Sequence, residues 1–205
     1  MVNYSPLTTH HSGIGVCTIE IRFNIRRWVE EQIVFFVLLY RRLRYGYPFR
    51  RIPLTRGKFA IVDPEDYNLL SRCKWCAVKD SNTYYAVRNR QNKQIRMHRE
   101  IMKVPKHLVC DYINHNGLDN RKNNLRICTK QQNTHNQKPR KIGTSKYKGV
   151  DWNKRQRKWR ARIYYESRCH YPGYFNNEID AAKAYDKKAR ELFKEFACLN
   201  FTDVK

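Results

Sequence analysis

The chain has 205 residues, with 42 Lys and Arg against 18 Asp and Glu, a formal net charge of +24. That length allows one or two small domains, and a hydrophobic fraction of 41% excludes a wholly disordered polyelectrolyte. A charge so far from zero argues against an ordinary metabolic enzyme acting on a small molecule. It calls for an acidic partner, a nucleic-acid backbone first and a membrane surface second. The longest apolar run, Ile33 to Tyr40, is eight residues, where a spanning helix needs roughly 20. It also lies too far from Met1, behind charged residues, for a conventional signal peptide, so no membrane role is expected. Seven cysteines are an odd number for a disulfide framework, which implies reduced thiols and an intracellular setting.

Composition divides the chain into four pieces. Residues 1–50 carry net +4, 51–136 net +10, 137–145 net +3 and 146–205 net +7. In the first, Arg26, Arg27, Arg41, Arg42 and Arg44 bracket the apolar run, which suits an amphipathic helix. The alternative is an extension outside the folded unit, from a start site assigned too far upstream.

In the second piece, Ile52 to Val62 reads as a short strand before an acidic turn at Asp63–Asp66. Lys74–Ala77 and Tyr84–Arg88 read as a strand pair about the polar turn Asp80-Ser81-Asn82. Gln94–Met97 leads into a short helix beginning near His98, where a packing role competes with ligation or a phosphate contact. Leu108, Val109 and Ile113 flank Asp111, and Gly117 with its asparagine neighbours marks a tight loop. Leu125–Ile127 resumes an extended segment, and Thr129 with Gln132 forms a capping box that starts a helix near residue 130. Asn133 and Asn136 share one face of that helix. A hairpin followed by a helix places an Asp opposite an Asn. Carboxylate and amide oxygens suit a hard divalent cation such as Mg²⁺ (or Mn²⁺), which stabilises charge at a phosphodiester, while a neighbouring imidazole would activate water. Cys73 and Cys76 form a CxxC, but one pair is not a tetrahedral zinc site. They read as core thiols, with zinc completed by Cys110 and Cys128 as the alternative.

Residues 137–145 hold Pro139, Gly143 and basic residues with almost nothing to bury, and read as a linker. Beyond it, Tyr147–Trp152, Lys158–Tyr164 and Cys169–Phe175 read as three strands. Lys158, Arg160, Arg162 and Tyr164 lie on one face of the second; Trp159, Ala161 and Ile163 lie on the other. Pro172-Gly173 implies a bend or edge position in the third. Asn177 caps a helix with an apolar stripe of Ile179, Ala182, Tyr185, Ala189 and Phe193, and Leu199 to Phe201 closes the core. Residues 146–165 hold eight basic residues and one acid, Asp151. A basic ribbon over an apolar face fits the major groove of duplex DNA; the alternative is a solvated basic face.

The residues Ser145–Val150, Lys158–Ile163, Gly173–Phe175, Ala181–Asp186 and Leu199–Phe201 resemble the Apetala/ethylene-response-factor (ERF) DNA-binding domain, over about 57 residues. The resemblance implies major-groove contacts from the outward sheet residues. Arg160, Arg162 and Tyr164 are the expected base contacts, with Lys158 beside them and Lys154 and Arg155 on phosphates. Asp151 departs from the family, which has Arg there, so the family's sequence preference does not carry over.

From about Ile52 onward the chain resembles HNH (ββα-metal) endonucleases of the type that carries an Apetala-like domain. The most specific stretch is Asp111 through Asn133, with Leu118–Arg121 and Asn124–Arg126. The resemblance makes Asp111 and Asn133 metal ligands and Asn124 a support for loop and base. It places Tyr112 where the family has its general-base His, with His115 three residues on as a substitute base or a solvent-facing loop residue. The expected fold class is α+β: a small ββα-metal module (51–136), then a three-stranded antiparallel sheet packed on one helix (146–205). The expected function is a homing-type, metal-dependent endonuclease on double-stranded DNA, impaired at Tyr112. The resemblance implies the cytoplasm of a bacterial host, nucleoid-associated through DNA. The alternative is a non-catalytic DNA-binding protein or transcription regulator; RNA binding is the weaker third.

Overall fold

A computed structural model describes residues 14–80, 82–139 and 143–201, with side chains from residue 26 onward. Ser81 of the expected polar turn and residues 140–142 of the expected linker lie outside the described residues. The chain divides into two units, residues 1–50 and 51–205.

The first unit is dominated by α1, Ile14–Tyr45. Arg26–Glu30 and Arg27–Glu31 pair one turn apart at 3.3 and 3.2 Å, and Gly46, at φ +82°, ends the helix by donating to the Arg42 carbonyl. Much of the apolar run is exposed, Ile33, Phe35, Phe36, Leu39 and Tyr40 among it.

In the second unit, the stretch expected as a single strand is a hairpin of β1 (Arg50–Pro53) and β2 (Phe59–Val62). Arg56 and Gly57, both at positive φ, turn the chain, and the Leu54 amide donates to the Lys58 carbonyl at 2.8 Å. The acidic turn is the first turn of α2 (Pro64–Leu70), where Pro64 needs no amide partner and Glu65 and Asp66 meet the positive end of the helix dipole. A three-stranded sheet of β3 (Cys76–Asp80), β4 (Thr83–Arg90) and β5 (Lys93–Arg96) follows, then α3 (Met97–Met102). Arg88 on β4 grips Glu100 on α3 (Nε to Oε2, 2.9 Å). Ile52, Ala60, Val62, Leu70, Trp75, Ala86 and Met97 form the core here.

Next come the hairpin β6 (Val109–Tyr112) and β7 (Leu125–Cys128), then α4 (Lys130–His135). The capping box forms as the sequence predicts: Thr129 Oγ1 accepts from the Gln132 amide and Gln132 Oε1 from the Thr129 amide, at 3.2 and 2.9 Å.

The last sheet has β9 (Lys158–Tyr165) between β8 (Val150–Asn153) and β10 (Arg168–Phe175), all antiparallel. The register of β10 slips between His170 and Gly173, and β10 is an edge strand, as Pro172-Gly173 required. Helix α5 (Glu178–Phe193) starts at Asn177, whose side chain accepts from the Ile179 amide. Ala181, Ala182, Tyr185, Ala189 and Phe193 pack on Val150, Ala161 and Ile163. Ile179, expected in the apolar stripe, is 41% exposed: it lies in the first turn, where the chain is still entering the helix. The mixture of small antiparallel sheets and helices is α+β.

Gly149 lets α5 lie this close. It has φ +71°, and a Cβ there would fall 2.0 Å from the Tyr185 ring and 2.8 Å from the Arg162 carbonyl oxygen. Gly149→Ala adds left-handed strain to an overpacked contact and is expected to cost about 3 kcal/mol, read from the midpoint of urea unfolding.

Candidate functional site

The register of the β6–β7 hairpin sets Asp111 opposite Arg126, and opposite residues of an antiparallel pair share a face. Asp111 Oδ2 accepts from Arg126 Nη2 at 2.6 Å and from Nε at 2.8 Å. From the end of α4, Asn136 Nδ2 reaches Oδ1 at 2.9 Å, Oδ2 at 3.0 Å and the Tyr112 carbonyl at 3.2 Å. Asp111 is 5% exposed, so its two oxygens are spent on a guanidinium and an amide. The helix residue that meets Asp111 is therefore Asn136, one turn beyond Asn133. Asn133 is half-buried, and its own amide continues the helix to the Thr129 carbonyl.

Arg126 reaches further. Its Nη1 donates to the Glu195 carbonyl, and its guanidinium lies 4.0 Å from the Phe196 ring centroid. Around it, His135 stacks on Phe193 at 3.9 Å and 12°, and Lys148 Nζ donates to the carbonyls of His135 and Gln137. The hairpin and α4 are thus bonded to the segment that follows α5.

Tyr112, the next residue after Asp111, turns the other way. Its phenol lies 2.8 Å from His98 Nδ1 and donates to Asn120 Oδ1 at 3.0 Å. With that proton given to Asn120, His98 donates from Nδ1. The rings of Tyr85 and His98 pack on the phenol with centroids 5.6 and 5.3 Å away. Burial pushes the Tyr112 hydroxyl well above its ordinary range. Burial, helped by Arg96 and Arg99, pushes His98 down to about 4. The cluster is neutral at pH 7, and Asn120 Nδ2 is buried there without a hydrogen-bond partner.

Asn124 holds the loop. Its Oδ1 accepts from the Asn114 amide at 2.9 Å and its Nδ2 donates to the Asp119 carbonyl at 2.8 Å. Asp119 in turn pairs with Arg121 at 2.6 Å. His115, left-handed at φ 62°, is half-buried with Nε2 3.9 Å from Cys198 Sγ. Burial and Lys138 lower its pKa.

As arranged, these residues do not fit a divalent cation. One carboxylate is already neutralised by Arg126, so the local charge that would attract the ion is gone. Among the described residues, no three His, Cys, Asp or Glu side chains come together as a metal-binding group. Cys73 and Cys76 are no exception: Cys73 Sγ accepts from Arg88 Nη1 at 3.3 Å and Cys76 is exposed.

On the last sheet, Lys154, Arg155, Lys158, Arg162 and Tyr164 are exposed and Arg160 is half-buried. Tyr171 and Tyr174 of β10 lie beside Arg160, the Tyr171 ring 5.7 Å from its guanidinium. Asp151 bridges Arg160 Nη2 at 2.7 Å and Arg162 Nε at 3.1 Å, and its carboxylate raises the Arg160 pKa. Sequence reasoning put Asn136 on the same helical face as Asn133 without choosing it, and passed over Arg126, Asn120 and the bridging role of Asp151. Arg126 carried a signal in its family motif; the others become visible only through register and burial.

Removing Arg126 strands a buried carboxylate. Arg126→Leu is expected to cost about 3–5 kcal/mol, and adding Asp111→Asn to recover more than half of that, measured as a double-mutant cycle in urea. The His98 shift also carries a pH dependence. The folded state keeps His98 neutral down to about 4, whereas the unfolded chain takes up the proton near 6.5. This stability is present above about 6.5 and is lost as pH falls toward 4, by roughly 3 kcal/mol. Thermal melts of wild type and His98→Gln across that window should show the slope flattened in the variant.

No family model matches the chain, and no solved structure matches it. It is 42% identical over 66 residues to an AP2/ERF and B3 domain-containing transcription factor of Arabidopsis thaliana, 32% of this chain and 19% of that one. It is 34% identical over 67 residues to Protein 3.8 of Escherichia phage T7, of which it spans 55%. Over 182 residues, 86% of each chain, it is 30% identical to an uncharacterized HNH endonuclease of Acanthamoeba polyphaga mimivirus. With that extent of likeness, the chain belongs to the HNH endonuclease family.

Proposed function

We propose that this protein binds double-stranded DNA in a sequence-directed way through its C-terminal, Apetala/ERF-like sheet, and that it is a homing-type HNH endonuclease whose phosphodiester hydrolysis is impaired. The observation that carries the reading is Tyr112. It stands where the family resemblance expects a histidine, and its phenol is buried, spent on His98 and Asn120, and far too weak an acid to hand its proton away near pH 7. Loss of a general base costs on the order of 10²–10⁴-fold in rate. The pairing of Asp111 with Arg126 is a second obstacle, since it occupies the carboxylate that would hold Mg²⁺ or Mn²⁺. DNA binding draws on different residues, the exposed basic and aromatic face of β9 and β10, and does not depend on either.

The test pairs a gel shift on a long duplex with nicking of supercoiled plasmid in Mg²⁺ or Mn²⁺. Wild type is expected to retard the duplex and to leave the plasmid supercoiled. Tyr112→His alone is expected to stay inactive, because Asp111 remains paired. Nicking by that variant at 10² times the wild-type rate would place the whole defect at Tyr112. Efficient nicking by wild type would overturn the reading and make neutral His115 the base to test next.

A further inference from the structure

Asp151 is the one acid within a stretch that holds eight basic residues. In the β8–β9 ladder it lies directly opposite Arg160 and reaches diagonally to Arg162. Both oxygens are used: Oδ2 takes Arg160 Nη2 at 2.7 Å, and Oδ1 takes Arg162 Nε at 3.1 Å and Arg160 Nε at 3.4 Å. The carboxylate is about three-quarters withdrawn from solvent, while Arg162 keeps 55% of its side chain exposed. On the far side, Tyr174 is the β10 partner of Arg160, and the Tyr171 ring lies under its guanidinium. Two guanidinium groups are thus held by a single carboxylate, which takes Arg162 through Nε while that side chain stays more than half exposed.

The link to Arg162, whose side chain is more than half exposed, contributes little to folding. It does remove two things a non-specific DNA binder would use: a full positive charge and the freedom of long side chains to follow phosphates. What remains is suited to base edges. An arginine reads guanine O6 and N7 only when its planar fork is held in the right orientation. Alternate residues of an antiparallel strand are about 6.8 Å apart, close to two base steps at 3.4 Å along one strand.

We propose that Asp151 is a specificity-determining residue of this sheet. It holds Arg160 and Arg162 as one unit that reads guanines two base steps apart, and it withholds both from the phosphates. The proposal rests on the DNA-binding reading given above and names the class of duplex that the sheet prefers.

The experiment is selection from a random duplex pool, followed by titration of selected and scrambled duplexes over a range of salt, with wild type, Asp151→Asn and Asp151→Glu. Thermal melts confirm that the variants are folded. Wild type is expected to enrich guanines two steps apart. Asp151→Asn is expected to bind scrambled duplex several-fold more tightly, with the slope of log K against log salt steeper by about 1, as one more cation becomes free for phosphate, and to lose the guanine preference. Asp151→Glu, which keeps the charge, should keep the wild-type slope. Failure of wild type to bind any duplex would overturn the DNA-binding reading itself, and this proposal with it. Binding without the guanine pair, or an Asp151→Asn variant with the wild-type motif and slope, would overturn this proposal alone and leave Asp151 as a cross-strand salt bridge.

Discussion

The ion pair between Asp111 and Arg126 governs the centre of residues 51–205. A carboxylate that is 5% exposed is tolerable only because a guanidinium and the Asn136 amide satisfy both oxygens. Arg126 is tolerable there because its remaining donor finds the Glu195 carbonyl and its flat face lies on Phe196. One arginine therefore ties β6 to β7 and the hairpin to the segment after α5. His135 on Phe193 and Lys148 on two carbonyls add to the same seam. In a nuclease the carboxylate would be turned toward an ion and a phosphate. With both oxygens on Arg126 and Asn136, what the carboxylate contributes in this arrangement is cohesion.

The strong positive charge is handled locally. At the hairpin, Asp111 offsets Arg126; in the loop, Asp119 offsets Arg121 at 2.6 Å; on the last sheet, Asp151 offsets Arg160 and Arg162. Each pair fixes an arginine that would otherwise be a loose cation. The lysines and arginines left exposed at Lys154, Arg155 and Lys158 lie in or beside the β8–β9 turn, at one end of the sheet. On the proposed DNA-binding reading, long-range attraction to a polyanion and close reading of its bases fall to different side chains.

Much of this was legible in the sequence, for identifiable reasons. The alternation through Lys158–Tyr164 fixed which side of β9 faces outward, because a strand's period of two leaves no other choice. The Thr129–Gln132 box located α4 because each side chain caps the other's backbone amide. Reading failed where the deciding contact was remote. Thr55 to Lys58 looked continuous with strand, yet left-handed Arg56 and Gly57 fold it into a turn. Asn133 and Asn136 are one helical turn apart, so periodicity could not say which meets Asp111; the contact falls to Asn136, at the end of α4. Nothing local could show that Asp151 would span two arginines on the neighbouring strand, since that depends on the β8–β9 register.

On the proposed reading, the Tyr112 cluster sets a folded interior against a general base at one position. A base must hold a lone pair open toward solvent and reach its pKa near neutrality. The phenol does the reverse: it closes against Tyr85 and His98, shares hydrogen bonds with His98 and Asn120, and is driven further from ionisation by the burial that makes it a good packing group. The satisfaction is incomplete, for Asn120 Nδ2 remains buried without a partner, and an unsatisfied donor carries a penalty of about 1–3 kcal/mol. A ring that donates or accepts at two points could meet Asn120 and still present a second nitrogen. A phenol has one oxygen, and both of its hydrogen-bonding directions are used. The leftover donor marks a cluster that the phenol fills without answering all of its polar groups.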